Sequence, residues 1–135
     1  MQRYLVRFDQ FCMILLATNL FVEQLVDAWE RLENYVDNNN VDNKHHNYNY
    51  RVAMDRLAPW KERIELCINY TTVCAAQFRA KNESEIFDFV YVDARHDYKG
   101  ILLDLTEWWP LLRKGGIMAG HDYVTQFEGE GDERD

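Results

Sequence analysis

Apolar and polar positions are most regularly spaced between Ile86 and Tyr123, where the chain reads IFDFVYVDARHDYKGILLDLTEWWPLLRKGGIMAGHDY. Phe89, Val90, Tyr91 and Val92 are apolar on successive residues, a pattern that suits a parallel strand covered on both faces. The next stretch places Ile101, Leu102, Leu105, Trp108 and Leu112 on one side of a helix, with Asp104 and Glu107 on the other, solvent side. Trp108 and Trp109 read as core, because aromatic stripes at helical spacing pack. Pro110 ends or kinks this helix, and Gly115-Gly116 predict a tight reversal into a second strand over Ile117-Met118-Ala119. The whole is one βαβ unit.

Upstream the periods are less regular. Residues 10 to 23 carry Phe11, Ile14, Leu15, Thr18, Phe21 and Val22 at spacings of three and four, which predicts a helix with one buried stripe. Leu25-Val26-Asp27 follows as a short extended segment. The Asn-rich stretch from Asn38 to Tyr50 predicts a polar loop with His45 and His46 in solvent. A short helix over Tyr50 to Leu57 with Val52, Ala53 and Leu57 inward is stopped by Pro59, and Ile64 to Ile68 predicts a strand. Thr71 or Thr72 is placed to cap the helix that contains Val73 to Phe78. Strands alternating with helices mark an open α/β sheet.

A chain of 135 residues supports one core, expected over residues 1–123. The last eight residues, with five acids against one Arg, predict a solvated acidic tail over 124–135. The formal charge of −8 argues against nucleic acid or an anionic membrane as a partner, since both need a basic face. Arg3 and Arg7 before the apolar run Phe11 to Val26 resemble a leader, but Asn19 and Glu23 interrupt it and no small-residue cleavage site follows. Cys12, Cys67 and Cys74 form no CxxC pair, so free thiols and a cytoplasmic location are expected. All six glycines lie at or after Gly100, which excludes a glycine-built phosphate loop ahead of the βαβ unit.

In an open α/β sheet the binding crevice lies beyond the carboxyl ends of the strands, where Asp27, Asp93 and the pair His121-Asp122 fall. The segments VDARHDYKG, DL-x-x-WWPLL and KGGIMAGHDY resemble the back half of the class I S-adenosylmethionine-dependent methyltransferases. The resemblance is specific over residues 86–123 and looser from Asp27 onward. It implies an open, mostly parallel Rossmann-like sheet, and O-methyl transfer from S-adenosylmethionine to a small-molecule acceptor. Asp27 would then hold the ribose hydroxyls, Asn69 and Tyr70 would meet the adenine, and Asp93 would also line the cofactor site. Asp93 and Asp122 at neighbouring strand ends would share a divalent cation, Mg or Mn, or a proton. His96 or His121 would act as general base beside Asp122; alternatively, His121 and Asp122 bind backbone in the turn that follows.

Relative to that family the chain reads as truncated at both ends. The Gly-rich first strand and the closing hairpin have no counterpart, so weak cofactor binding is expected. Residues 3–8, RYLVRF, are the expected substitute, a parallel strand between those ending at Asp27 and Asp93. Two rival readings follow: an inactive remnant that binds a partner or a second copy through an open sheet edge, and a metal-dependent hydrolase built on His96-Asp97 and His121-Asp122.

Overall fold

The computed structural model describes residues 13–17, 23–81 and 86–121. Five strands form one sheet in the order β3-β2-β1-β4-β5. They are β1 (Met13–Ala17), β2 (Glu23–Val26), β3 (Ile64–Cys67), β4 (Phe87–Asp93) and β5 (Leu112–Gly120). Three α-helices connect them: α1 (Asn43–Leu57), α2 (Thr71–Ala80) and α3 (Tyr98–Trp108), with 3₁₀ turns at Ala58–Arg63 and Trp109–Leu111. Pro59 and Pro110 each open one of those turns, where a missing N–H is tolerated.

β2 pairs with β3 and β4 with β5 in parallel, whereas β1 runs antiparallel to both β2 and β4. Four strands therefore share one direction and their carboxyl ends lie along one edge. The sheet is mixed rather than purely parallel, and its order is that of doubly wound folds.

The expected helix over residues 10–23 is instead occupied at its centre by β1. Met-Ile-Leu-Leu-Ala is apolar on successive residues, and the facing edges of β2 and β4 need a partner for their amides. Residues 3–8 lie outside the described residues, and the central position expected for them is held by Met13–Ala17. The reversed direction follows from chain length: only residues 18–22 join β1 to β2, whereas a parallel crossover needs about a dozen residues or more.

The sheet buries its two faces separately. Val26, Val90 and Val92 pack with Cys74 and Ala75 of α2 and Trp108 of α3. Trp108 is 0% exposed and meets Phe78 and Phe87, which form an edge-to-face pair at 5.3 Å. An Arg79–Glu107 ion pair ties α2 to α3. On the opposite face Leu25 packs with Leu57, Met54 and Ile64. Successive residues of β2 thus serve different layers, as strand geometry requires.

Several local expectations change. The Asn-rich segment is not a loop throughout: Asp42 accepts from the His45 amide at 2.9 Å and starts α1 within it. Asn40 secures the preceding loop, accepting from Leu32 N–H at 2.8 Å and donating to Leu32 and Tyr35 carbonyls. Tyr70, not a threonine, occupies the cap of α2, because the Thr71 hydroxyl is committed to Asp104. Trp109 is 64% exposed, since the 3₁₀ turn rotates it away from the stripe that buries Trp108. Gly115 and Gly116 sit inside β5 at a register irregularity, where Gly115 adopts φ +76°, and make no reversal. Cys67 and Cys74 are joined in a disulfide, so they are not free thiols, and the argument for a cytoplasmic location loses its basis. No helix among the described residues is long and apolar enough to cross a membrane.

Candidate functional site

Two groups of side chains gather at the carboxyl edge of the sheet. The first surrounds a cavity of about 210 Å³. Asp27 enters it directly after β2, Tyr70 and Thr71 after β3, and Ala94 and Arg95 after β4, with Asp104 contributed by α3. The loop after β2 adds Asn39 and Asn40, and α1 adds His46.

Asp27 is 8% exposed and held in place by local backbone. Its amide donates to Cys67 carbonyl at 3.3 Å, extending the β2–β3 pairing by one residue, and its Oδ1 accepts from Trp29 N–H at 2.7 Å. Trp29 adopts φ +51°, which turns the chain back over the carboxylate. Burial pushes the Asp27 carboxyl up to about 7, against the smaller downward effect of the Trp29 hydrogen bond. Of the two adenine candidates, Tyr70 lines the cavity, whereas Asn69 turns its Oδ1 onto the Tyr70 amide at 2.9 Å and is not part of the wall.

The cavity contains polar groups that sequence periodicity placed elsewhere. Asp104 is 3% exposed, in the middle of the buried stripe Gly100-Asp104-Trp108, where the sequence pattern predicts a solvent position. One of its oxygens accepts from the Thr71 hydroxyl, and burial raises its carboxyl to about 6. Arg95 pairs with Asp97 and lies over the Tyr35 ring at 4.8 Å, leaving its Nε buried without a hydrogen-bond partner among the described residues. His46 Nε2 is likewise buried and unpaired, and burial lowers the pKa of this imidazole. His46, expected in solvent, lines the cavity instead, and no periodic signal marks it. Gly100 permits the close approach of α3: a Cβ there would meet Arg95 Cβ at 2.4 Å.

The second group is Asp93, His96 and His121, whose ligating atoms all lie within 4.8 Å of one another. Asp93 ends β4 and His121 follows β5, so the parallel pairing of these strands brings them together. His96 Nε2 is 3.2 Å from Asp93 Oδ1, and its Nδ1 is 3.5 Å from Asp37 Oδ2. Tyr35 supports this arrangement, its hydroxyl accepting from His96 N–H at 3.0 Å and donating to Asp37 at 3.2 Å. His121 Nδ1 is 3.7 Å from Asp93, and its side chain is 51% exposed. Asp122 lies outside the described residues. One carboxylate and two imidazoles suit borderline divalent cations such as Fe or Zn better than Mg, which prefers oxygen ligands throughout, with Mn between them.

The structure therefore brings Asp93, His96 and His121 together, and separately places Asp27 and Tyr70 on one cavity. Asp97 joins neither group: its Oδ1 accepts from Gly100 N–H at 2.7 Å as the cap of α3, and Arg95 beside it lowers its pKa. That use of Asp97 leaves the His96-Asp97 pair unlike a hydrolase metal pair.

A family model described as a methyltransferase domain matches residues 12–123. No curated protein and no solved structure matches the chain. The chain belongs to the methyltransferase-domain family of the class I S-adenosylmethionine-dependent type, whose usual cofactor is S-adenosylmethionine.

Proposed function

We propose that this family member transfers the methyl group of S-adenosylmethionine to an oxygen of a small acceptor, with the cofactor in the Asp27 cavity and the acceptor at Asp93, His96 and His121. The supporting observation is the juxtaposition itself: a cavity walled by the ends of β2, β3 and β4 lies beside a carboxylate–imidazole cluster at the ends of β4 and β5. Ala94 and Arg95, one and two residues beyond Asp93, join the two.

Asp27 receives the two ribose hydroxyls, using the oxygen lone pairs that Trp29 N–H leaves open. Tyr70 offers a ring face to the adenine. In the transfer step the acceptor oxygen forms its bond to the methyl carbon as the sulfur–carbon bond breaks, and the hydroxyl proton leaves to a base. His96 is held between Asp93 and Asp37, so His121 is assigned as that base, with Asp93 stabilising the imidazolium. The alternative at the same three residues is a divalent cation, which would be held by Asp93, His96 and His121, would occupy the His121 lone pair, and would supply Lewis acidity toward the acceptor oxygen in place of that base.

The test is release of S-adenosylhomocysteine in the presence of a panel of small hydroxylated acceptors, catechols and hydroxylated sugars among them. Acceptor-dependent release that falls by about 10²-fold or more in His121→Ala supports the assignment. Tight cofactor binding without release for any acceptor would turn the reading toward a binding module.

A further inference from the structure

We infer that Asp104 is a specificity residue of the Asp27 cavity, accepting a hydrogen bond from the exocyclic amino group of an adenine base. The inference rests on the reading of the cavity as a cofactor site and goes beyond it, by naming the residue that selects the base.

A carboxylate on the buried stripe of an amphipathic helix is expensive to keep, and an apolar residue there would join Trp108 in the core. Asp104 has one hydrogen bond among the described residues, from the Thr71 hydroxyl, while a carboxylate can accept several. The same residue lines the cavity, so its remaining acceptor capacity is directed at whatever occupies that space. Thr71 holds the carboxylate through Oδ1.

The surroundings define the kind of donor. Leu103 and Ala94 give the wall near Asp104 an apolar surface on which a flat heterocycle can lie, and Tyr70 adds an aromatic ring. Arg95 and His46 line the same space. A diol suits Asp27, a flat ring suits the apolar wall, and an N–H pointing from the ring edge suits Asp104. A 6-aminopurine nucleoside carries all three. A site built to receive an amino group discriminates strongly against an analogue without it, because the buried acceptor is then left unpaired.

The experiment measures calorimetric binding of adenosine, purine riboside (the same nucleoside without the 6-amino group), S-adenosylhomocysteine and S-adenosylmethionine to the full chain. The parent protein should favour adenosine over purine riboside by at least about tenfold. Asp104→Leu should bring that ratio near one, Asp104→Asn, which still accepts, should keep part of it, and Thr71→Val should weaken adenosine without reversing the preference. Thermal melts of each variant report folding, and a purely structural Asp104 would alter those melts without moving the ratio.

A ratio near one in the parent overturns the Asp104 assignment and leaves the cofactor reading standing. Adenosine selectivity without any affinity for S-adenosylhomocysteine or S-adenosylmethionine would do the reverse. If Asp104→Leu lowers binding of S-adenosylmethionine relative to S-adenosylhomocysteine but leaves the adenosine ratio intact, Asp104 faces the sulfonium and the inference is wrong. Absence of binding by every probe overturns both.

Discussion

Replacing Asp27 by Asn should make the ligand-free protein more stable at alkaline pH, with the gain vanishing in acid. Burial raises the Asp27 carboxyl from the ordinary 3.8 to about 7. A group whose folded pKa lies above its unfolded value holds a proton in the folded state that the unfolded chain has already released. Folding stability attached to it is therefore present below pH 3.8 and is lost as pH rises toward about 7. The gap corresponds to a ceiling of about 4 kcal/mol at about 1.36 kcal/mol per pKa unit. Asn keeps the oxygen that accepts from Trp29 N–H but adds an amide N–H₂ without an assigned partner, a penalty of about 1–3 kcal/mol. The net gain at pH 8 should be about 1–3 kcal/mol. Urea denaturation of parent and variant at pH 4 and pH 8 gives the result as a difference, in which the titration of Asp104 and His46 largely cancels. A stability difference that does not change between those pH values would refute the burial argument. The same substitution should weaken any ribose-bearing ligand, so stability and binding move in opposite directions, as expected where a site carries a destabilising charge for function.

Trp108→Ala should cost about 3–5 kcal/mol in the same denaturation assay, because it removes the fully buried ring that joins Phe78 to Phe87. Mn²⁺ should raise the melting temperature of the parent, and Asp93→Asn or His121→Ala should remove the rise; an equal rise in the variants would place the ion elsewhere. Reducing the Cys67–Cys74 bridge, which closes a loop of sequence separation 7, should cost about 2 kcal/mol and raise hydrogen exchange at residues 68–73, the segment that carries Tyr70 and Thr71. Unchanged exchange on reduction would show that packing of Cys74 alone holds that wall.

The parts of the fold that were legible in the sequence are those whose pattern has one interpretation. The valines of β4 and the strand ends at Asp27 and Asp93 follow from local rules, and a strand between β2 and β4 follows from the family resemblance. β1 was missed because Met-Ile-Leu-Leu-Ala satisfies a helical stripe as well as a buried strand, and only the unmet edges of β2 and β4 decide between them. The start of α1 was missed because Asn is a weak helix former, although Asp42 three residues before His45 is an N-cap signal. The hydropathy pattern puts Leu102 and Leu105 inward and Asp104 in solvent, yet both leucines are exposed and the carboxylate is buried. A helical wheel ranks residues by hydropathy and cannot anticipate a stripe that includes an acid facing a cavity. The disulfide had no local signature, since contact between Cys67 and Cys74 depends on α2 folding back over the end of β3.

The most direct test of the account is titration of S-adenosylhomocysteine into the parent protein, Asp27→Asn and Asp93→Asn. Saturable binding to the parent is predicted, at least about tenfold weaker in Asp27→Asn and retained in Asp93→Asn, because the ribose meets Asp27 and the acceptor end meets Asp93. Equal affinity in parent and Asp27→Asn, or no saturable binding to the parent, would contradict the assignment of the cavity to the cofactor.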